Sequence, residues 1–313
     1  MPISPQRRRL IQSLGLLTAA PWLAHAEPAA EARPPAARLD LPLHLTQLIN
    51  HIGTSVPDVR RSATFYSHLF QGGRLLGQEK PALRYEINFH PGSVSIGPLA
   101  TGTAAQTHPY IDHFCVVARP FDAAAWRARL DEEKLRNFAG GSFVVIGGIS
   151  VQLFGGRAEP PAGSGGASRT AGTSAAAPKK PPAAAGGFSP MPPLYSGEPL
   201  VTPHGFEHLT LHVADLDVSA ALFTKLFGLA PRTPSPGTRL IELANTRIEL
   251  RETGSGERPT IKTFAIRVQA FDPGRIREAL EGLGATPAPI EKTAGRTILR
   301  FADPDGIECE LWA

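Results

Sequence analysis

The chain has 313 residues, 42% of them hydrophobic, with 2 cysteines and a net charge of +4. That is long enough for two domains with real cores, and two cysteines exclude a disulfide framework. Three of the four net charges are Arg7, Arg8 and Arg9, in a segment without Asp or Glu, so the remainder carries no basic excess of the kind that binds nucleic acid.

Residues 1–26 read as an export signal: Arg7-Arg8-Arg9 precede Leu10-Ile11, Leu14–Leu23 is a modest apolar region, and Ala24-His25-Ala26 is a small-residue cleavage site. Paired arginines before Leu-Ile resemble a twin-arginine signal, which implies a periplasmic or secreted protein. No later stretch approaches 18 apolar residues, so no stable membrane span is expected after cleavage. Residues 27–46 are a flexible leader rich in Ala, Pro and Glu.

An N-terminal domain over 47–155 opens on Asn50-His51-Ile52-Gly53-Thr54-Ser55-Val56, a strand, followed by a helix near Arg60–Phe70 and strands near Leu83–Phe89 and Ser93–Ile96. A second unit follows, with a His113 strand, a helix over Ala123–Glu133, and a Gly147-Gly148 hairpin joining Ser142–Ile146 to Ile149–Phe154. Residues 156–203, almost all Gly, Ala, Pro, Ser, Thr and Lys, read as a disordered linker.

The C-terminal domain, 204–313, opens on Glu207-His208-Leu209-Thr210-Leu211-His212-Val213, whose apolar residues alternate with polar ones. Asp217 or Ser219 can cap the helix that follows, and Gly228 ends it. Strands are expected at Arg239–Leu243, Arg247–Arg251, Thr297–Phe301 and Ile307–Trp312, with a helix over Pro273–Leu283 and a turn at Asp303-Pro304-Asp305-Gly306. Residues 51–70 repeat at 208–227 with a constant offset of 157, and 112–122 repeat at 262–272 with an offset of 150. Such unbroken registers mark internal duplication: four units in the order A, B, A′, B′.

His208-Leu-Thr-Leu-His-Val-Ala-Asp215 with Ser219, Phe223 and Leu226-Phe227-Gly228, closed by Asp303-Pro-Asp-Gly306 and Glu310-Leu311, resembles the vicinal oxygen chelate superfamily of glyoxalases, extradiol dioxygenases and bleomycin resistance proteins. The resemblance implies an α+β fold of four βαβββ units making two half-open barrels. It also implies a divalent metal between paired units, with Fe, Mn, Zn and Ni not distinguished. The ligand positions it marks are His208, Thr263, Glu249 and Glu310 in the second half, and His51, His113, Ser95 and Gln152 in the first. Strand parity agrees, since Glu249 and Glu310 each face away from their apolar neighbours. Arg239, Arg267 and Arg300 are the alternative cations for these carboxylates, and His212 is a weak candidate base. Tyr85, Tyr110 and Trp312 are candidates to stack on a ring-containing ligand. Two functions stay open. One is a metal-dependent dioxygenase, lyase or isomerase acting on a small substrate with vicinal oxygens. The other is a metal-free binding protein that sequesters a small molecule. Either can form an oligomer, and the pairing of A with B or with B′ stays open too.

Overall fold

The computed structural model describes residues 48–70, 74–76, 84–89, 91–99, 107–117, 121–154, 194–244, 246–293 and 295–313. The expected signal, the leader and most of the expected linker lie outside the described residues. Unit A comprises β1 (Leu48–Val56), α1 (Val59–Phe70), β2 (Arg74–Leu76), β3 (Arg84–Phe89) and β4 (Gly92–Pro98). Unit B comprises β5 (Tyr110–Val117), α2 (Ala123–Glu132), β6 (Asn137–Phe138), β7 (Phe143–Ile146) and β8 (Ile149–Phe154). Unit A′ has β9 (Pro203–Val213), α3 (Leu216–Phe227), β10 (Thr238–Glu242) and β11 (Arg247–Glu252). Unit B′ has β12 (Thr260–Val268), α4 (Pro273–Gly282), β13 (Thr286–Pro287), β14 (Glu291–Thr293), β15 (Arg296–Ala302) and β16 (Glu308–Trp312). Unit A′ thus has one strand fewer than A among the described residues.

Aspartates start the helices, because a carboxylate before the first turn accepts the orphan N–H groups. Asp122 accepts from Ala124 and Ala125, and Asp272 from Gly274 and Arg275. In α3 the cap is Asp215, which accepts from the Val218 N–H, rather than the expected Asp217 or Ser219. Those two already lie inside the helix. Gly228 ends α3 in the left-handed conformation, φ 69°.

In every unit the first strand pairs parallel with the last: β1 with β4, β5 with β8, β9 with β11, β12 with β16. The first strands of neighbouring units then pair antiparallel, β1 with β5 and β9 with β12. A therefore pairs with B and A′ with B′, giving two half-open barrels joined where Ile111 of β5 meets Ile261 of β12.

Helix contacts run the other way. The Tyr66 hydroxyl in α1 donates to Asp303 at 2.7 Å and Arg61 and Ser62 hold Asp305, both in the turn of B′, and Phe65 packs on Phe301 in β15 just before it. Reciprocally, the Ala214 N–H donates to the Gly147 carbonyl at 3.1 Å, and Phe227 of α3 stacks on Trp126 of unit B. One contiguous apolar core results. Residues 194–203, expected in the linker, are held on α1: Leu200 and Val201 donate to the carbonyls of His68 and Leu69, and Tyr195 stacks on His68. Cys115 and Cys309 are both buried and free, as the sequence suggests.

Candidate metal centre

The pairing of β1 with β5 is interrupted twice. From Ile49 to His51, two residues, the partner on β5 moves by only one, and from Gly53 to Thr54, one residue, the partner moves by two, from His113 to Ile111. Asn50 and Asp112 are therefore the extra residues of two β-bulges, and a bulge turns consecutive side chains toward one face. Each bulge residue sits immediately before a histidine and orients it. The Asn50 amide oxygen accepts from His51 Nδ1 at 2.8 Å, and Asp112 Oδ1 accepts from His113 Nδ1. Asp112 is itself held by the Ser55 hydroxyl at 2.8 Å, with Arg84 at 4.0 Å. Burial alone raises its carboxyl, but His113, Ser55 and Arg84 outweigh burial and hold it below the usual carboxylate range.

With both Nδ1 atoms donating, both Nε2 atoms present lone pairs. His51 Nε2 lies 3.2 Å from His113 Nε2 and 3.0 Å from Gln152 Oε1. In these neutral tautomers three acceptors converge. A proton is a poor resolution near neutrality, because burial and then the His113 charge lower the His51 pKa to about 4. A divalent ion would satisfy all three, since cis ligands at about 2.1 Å from an ion stand about 3 Å apart. The residues fit a divalent ion held by two imidazoles and one neutral amide.

Backbone makes room for this arrangement. A Cβ on Gly53 would lie 2.1 Å from His113 Cε1 and 2.4 Å from Asp112 Oδ1, so only glycine lets the imidazole lie across β1. Thr210 occupies the equivalent position in the second half, where Thr263 replaces the facing histidine.

The three acceptors open on a cavity of about 690 Å³. Tyr110, Phe138 and Phe143 give it an aromatic side, and Arg84, Glu86 and Ser95 a polar one. Pro259 and Ile261, from the second half, close one end. Phe143 meets His113 edge-on at 5.2 Å and stacks on Phe138 at 4.8 Å. Ser95 stands opposite both Gly53 and Glu86 in the strand register.

The second half is built differently. His208 Nε2 comes within 3.7 Å of Glu310 Oε2. Glu310, however, accepts from Arg300 Nε at 2.8 Å and from Trp312 Nε1 at 2.6 Å. Glu249 accepts from Arg251 Nε at 2.6 Å, and Thr263 turns its hydroxyl toward Glu308. Arginines therefore neutralise both carboxylates, Arg300 as one of the alternatives foreseen and Arg251 as one that was not. His208 Nδ1 is buried without a hydrogen-bond partner, and burial lowers its pKa. Among the described residues no group of three or more His, Cys, Asp and Glu side chains is placed to hold a metal ion, so the second-half set of His208, Glu249 and Glu310 is not assembled as one. His212 stands between Thr260 and Arg251 in the sheet, outside the cavity, and burial lowers its pKa too. Of the aromatic candidates, Tyr110 lines the cavity, Tyr85 is 5% exposed core, and Trp312 belongs to the second half.

Asn50, Asp112, Gly53 and Glu86 were not among the sequence candidates. The signal that could have found the first two is a polar residue directly before each histidine, at positions where plain alternation calls for an apolar one.

Residues 205–311 match the family model described as the Glyoxalase/Bleomycin resistance protein/Dioxygenase superfamily. No curated protein matches the sequence. Among solved structures, the Mn(II)-bound glyoxalase from Novosphingobium aromaticivorans is similar at 14% identity and TM-score 0.53, covering 85% of this chain and 82% of that one. The 2,3-dioxygenase LapB from Pseudomonas sp. KL28 is similar at 13% identity and TM-score 0.56, covering 86% and 93%. A mutant of 4-hydroxymandelate synthase from Streptomyces coelicolor gives 12% identity and TM-score 0.57, covering 85% and 92%. At these identities the structures speak for the fold alone. The family match makes residues 205–311 a domain of the Glyoxalase/Bleomycin resistance protein/Dioxygenase superfamily, and the paired half-open barrels are the fold that the chain shares with these solved structures.

Proposed function

We propose that this is an exported, divalent-metal-dependent enzyme whose centre is His51, His113 and Gln152 in the first half. Its substrate is a small molecule that brings two adjacent oxygens into the 690 Å³ cavity. One observation carries the reading: His51 Nε2 lies 3.2 Å from His113 Nε2 and 3.0 Å from Gln152 Oε1. Export rests on the Arg7-Arg8-Arg9 segment and the Ala24-His25-Ala26 site, and folding before export would let the ion be loaded first.

A bound divalent ion supplies Lewis acidity toward negative charge developing on the paired oxygens. Everything else falls to the chain. Asn50 and Asp112 keep both Nε2 lone pairs directed inward. Phe138, Phe143 and Tyr110 hold the substrate and exclude water. Glu86, held by the Ser93 hydroxyl at 2.8 Å, puts a carboxylate in the cavity wall whose charge is felt at His51. Gln152 stands where the family more often has a carboxylate, so the centre has one negative charge fewer, which lowers metal affinity and leaves more Lewis acidity.

That same neutral amide favours the second reading, a metal-free pocket that sequesters an aromatic molecule. Metal content of the mature protein separates the two. The first reading expects about one equivalent, lost in His51→Ala or His113→Ala and kept in His208→Ala, followed by oxygen uptake with a catechol or turnover of a glyoxalase-type substrate. Protein that binds an aromatic ligand yet never retains a metal ion sinks it.

A further inference from the structure

The cavity of the first half extends well beyond its three acceptors, and its far end belongs to the second half. Along β8, Gln152 and Ser150 share the cavity face, and Gly148, in the hairpin just before the strand, continues it. The residues between and beyond them, Val151 and Leu153, are buried in the core. A strand rises about 3.3 Å per residue, so Ser150 stands about 7 Å and Gly148 about 13 Å from Gln152. At that distance Pro259 lies on the hairpin: a Cβ on Gly148 would come 2.5 Å from Pro259 Cγ. Beside it Ile261 of β12 pairs with Ile111 of β5, the seam that joins the halves. Pro259, Thr260 and Ile261 all line the cavity.

The chemistry of the wall changes along this length. Its charged residues, Arg84, Glu86 and Asp112, come from β3 and β5, and none comes from β8 or from the second half. Phe138, 43% exposed, lines the same cavity and leaves apolar ring surface for a ligand to cover. A cavity of about 690 Å³ suits a drug-sized ligand, and two adjacent oxygens on the three acceptors engage only one end of it.

We propose that Pro259 and Ile261 set the length of the substrate accepted at the first-half centre, and that this substrate carries an apolar arm running from its paired oxygens past Ser150 to Pro259. The proposal rests on the reading of this cavity as the substrate site. Pro259 and Ile261 touch the arm and not the reacting atoms, so their part is specificity. The second half, whose own carboxylates are taken by arginines, serves here as the end wall of its neighbour's pocket.

The test is titration calorimetry on the full mature chain with catechol, 4-hexylcatechol and 4-octylcatechol as probes, run once with Mn(II) and once with a chelator. Each buried methylene is worth about fourfold in affinity, so 4-hexylcatechol should bind at least about tenfold tighter than catechol. Ser150→Leu sets a branched side chain midway along the arm. It should bring 4-hexylcatechol to within about twofold of catechol while catechol itself is unchanged. Pro259→Ala shortens the end wall and should raise the affinity of 4-octylcatechol several-fold, again with catechol unchanged. It decides the matter alone if Ser150→Leu does not fold. Val218→Ser alters the other large apolar side chain exposed among the described residues, and it should change nothing. The wall and the metal centre fail separately. A tenfold preference that persists with the chelator in protein that retains no metal upholds the wall without the metal centre. Retained Mn(II) with equal affinity for short and long probes overturns the wall and leaves the centre standing. Failure of every probe to bind, an equal effect of Val218→Ser, or unchanged preference in the folded Ser150→Leu and Pro259→Ala variants would also overturn the proposal.

Discussion

Gly53→Ala tests how the first-half centre is built. The added methyl would stand 2.1 Å from His113 Cε1, 2.3 Å from its Nδ1 and 2.4 Å from Asp112 Oδ1. Ordinary carbon contacts need about 3.5 Å, so the imidazole or β1 must move by about 1 Å. His113 is buried between Gly53 and Phe143, so relaxation carries its Nε2 away from the point shared with His51 and Gln152. Disturbing a ligand's support costs about 10- to 100-fold in metal affinity, and overpacking of this kind costs about 1–3 kcal/mol of stability. Equilibrium dialysis with Mn(II) or Zn(II) and thermal melts measure the two separately. Gly282→Ala, at the end of α4, is the control, because its methyl would meet nothing within 4 Å. A folded Gly53→Ala that binds metal as tightly as wild type would refute the three-acceptor centre.

Asp112→Asn keeps the shape but removes the charge that fixes the His113 tautomer, and metal affinity should fall about 10- to 100-fold, measured by the same dialysis. Tyr66→Phe leaves the 3% exposed Asp303 without one donor, and urea unfolding should show a loss of about 1–3 kcal/mol. Burial alone raises the Glu207 carboxyl, but Arg267, Arg247 and Arg296 outweigh it and hold the carboxyl below its ordinary value of 4.5. Its ionised form therefore stabilises the fold above about pH 4.5, and that contribution disappears as pH falls through the lowered folded value. Thermal melts of wild type and Glu207→Gln should converge on acidification, and a gap that widens instead contradicts the arginine cluster.

The fold was legible because its signals are periodic. The alternation in Leu209, Leu211 and Val213 and the turn at Asp303–Gly306 are both present in the structure as expected. The positions His51, His113 and Gln152 were reachable from the family resemblance, and the structure brings the three together. Asn50, Asp112 and Glu207 were not, because a bulge reverses parity locally and alternation assigns those residues to the wrong face. Buried Glu310 and half-buried Glu249 signalled a need for positive charge, which arginines meet. Nothing in strand spacing decides between a metal ion and an arginine two residues along the same strand, and Arg251 took that place for Glu249.

The reciprocal reach of α1 onto the Asp303–Asp305 turn and of α3 onto Gly147 also bears on what a protease could accomplish. A nick anywhere between 155 and 193 severs the covalent tie while leaving each piece gripping the other through aromatic rings and buried carboxylates. The two fragments should travel together on a sizing column and melt in a single step, as one particle assembled from two polypeptides.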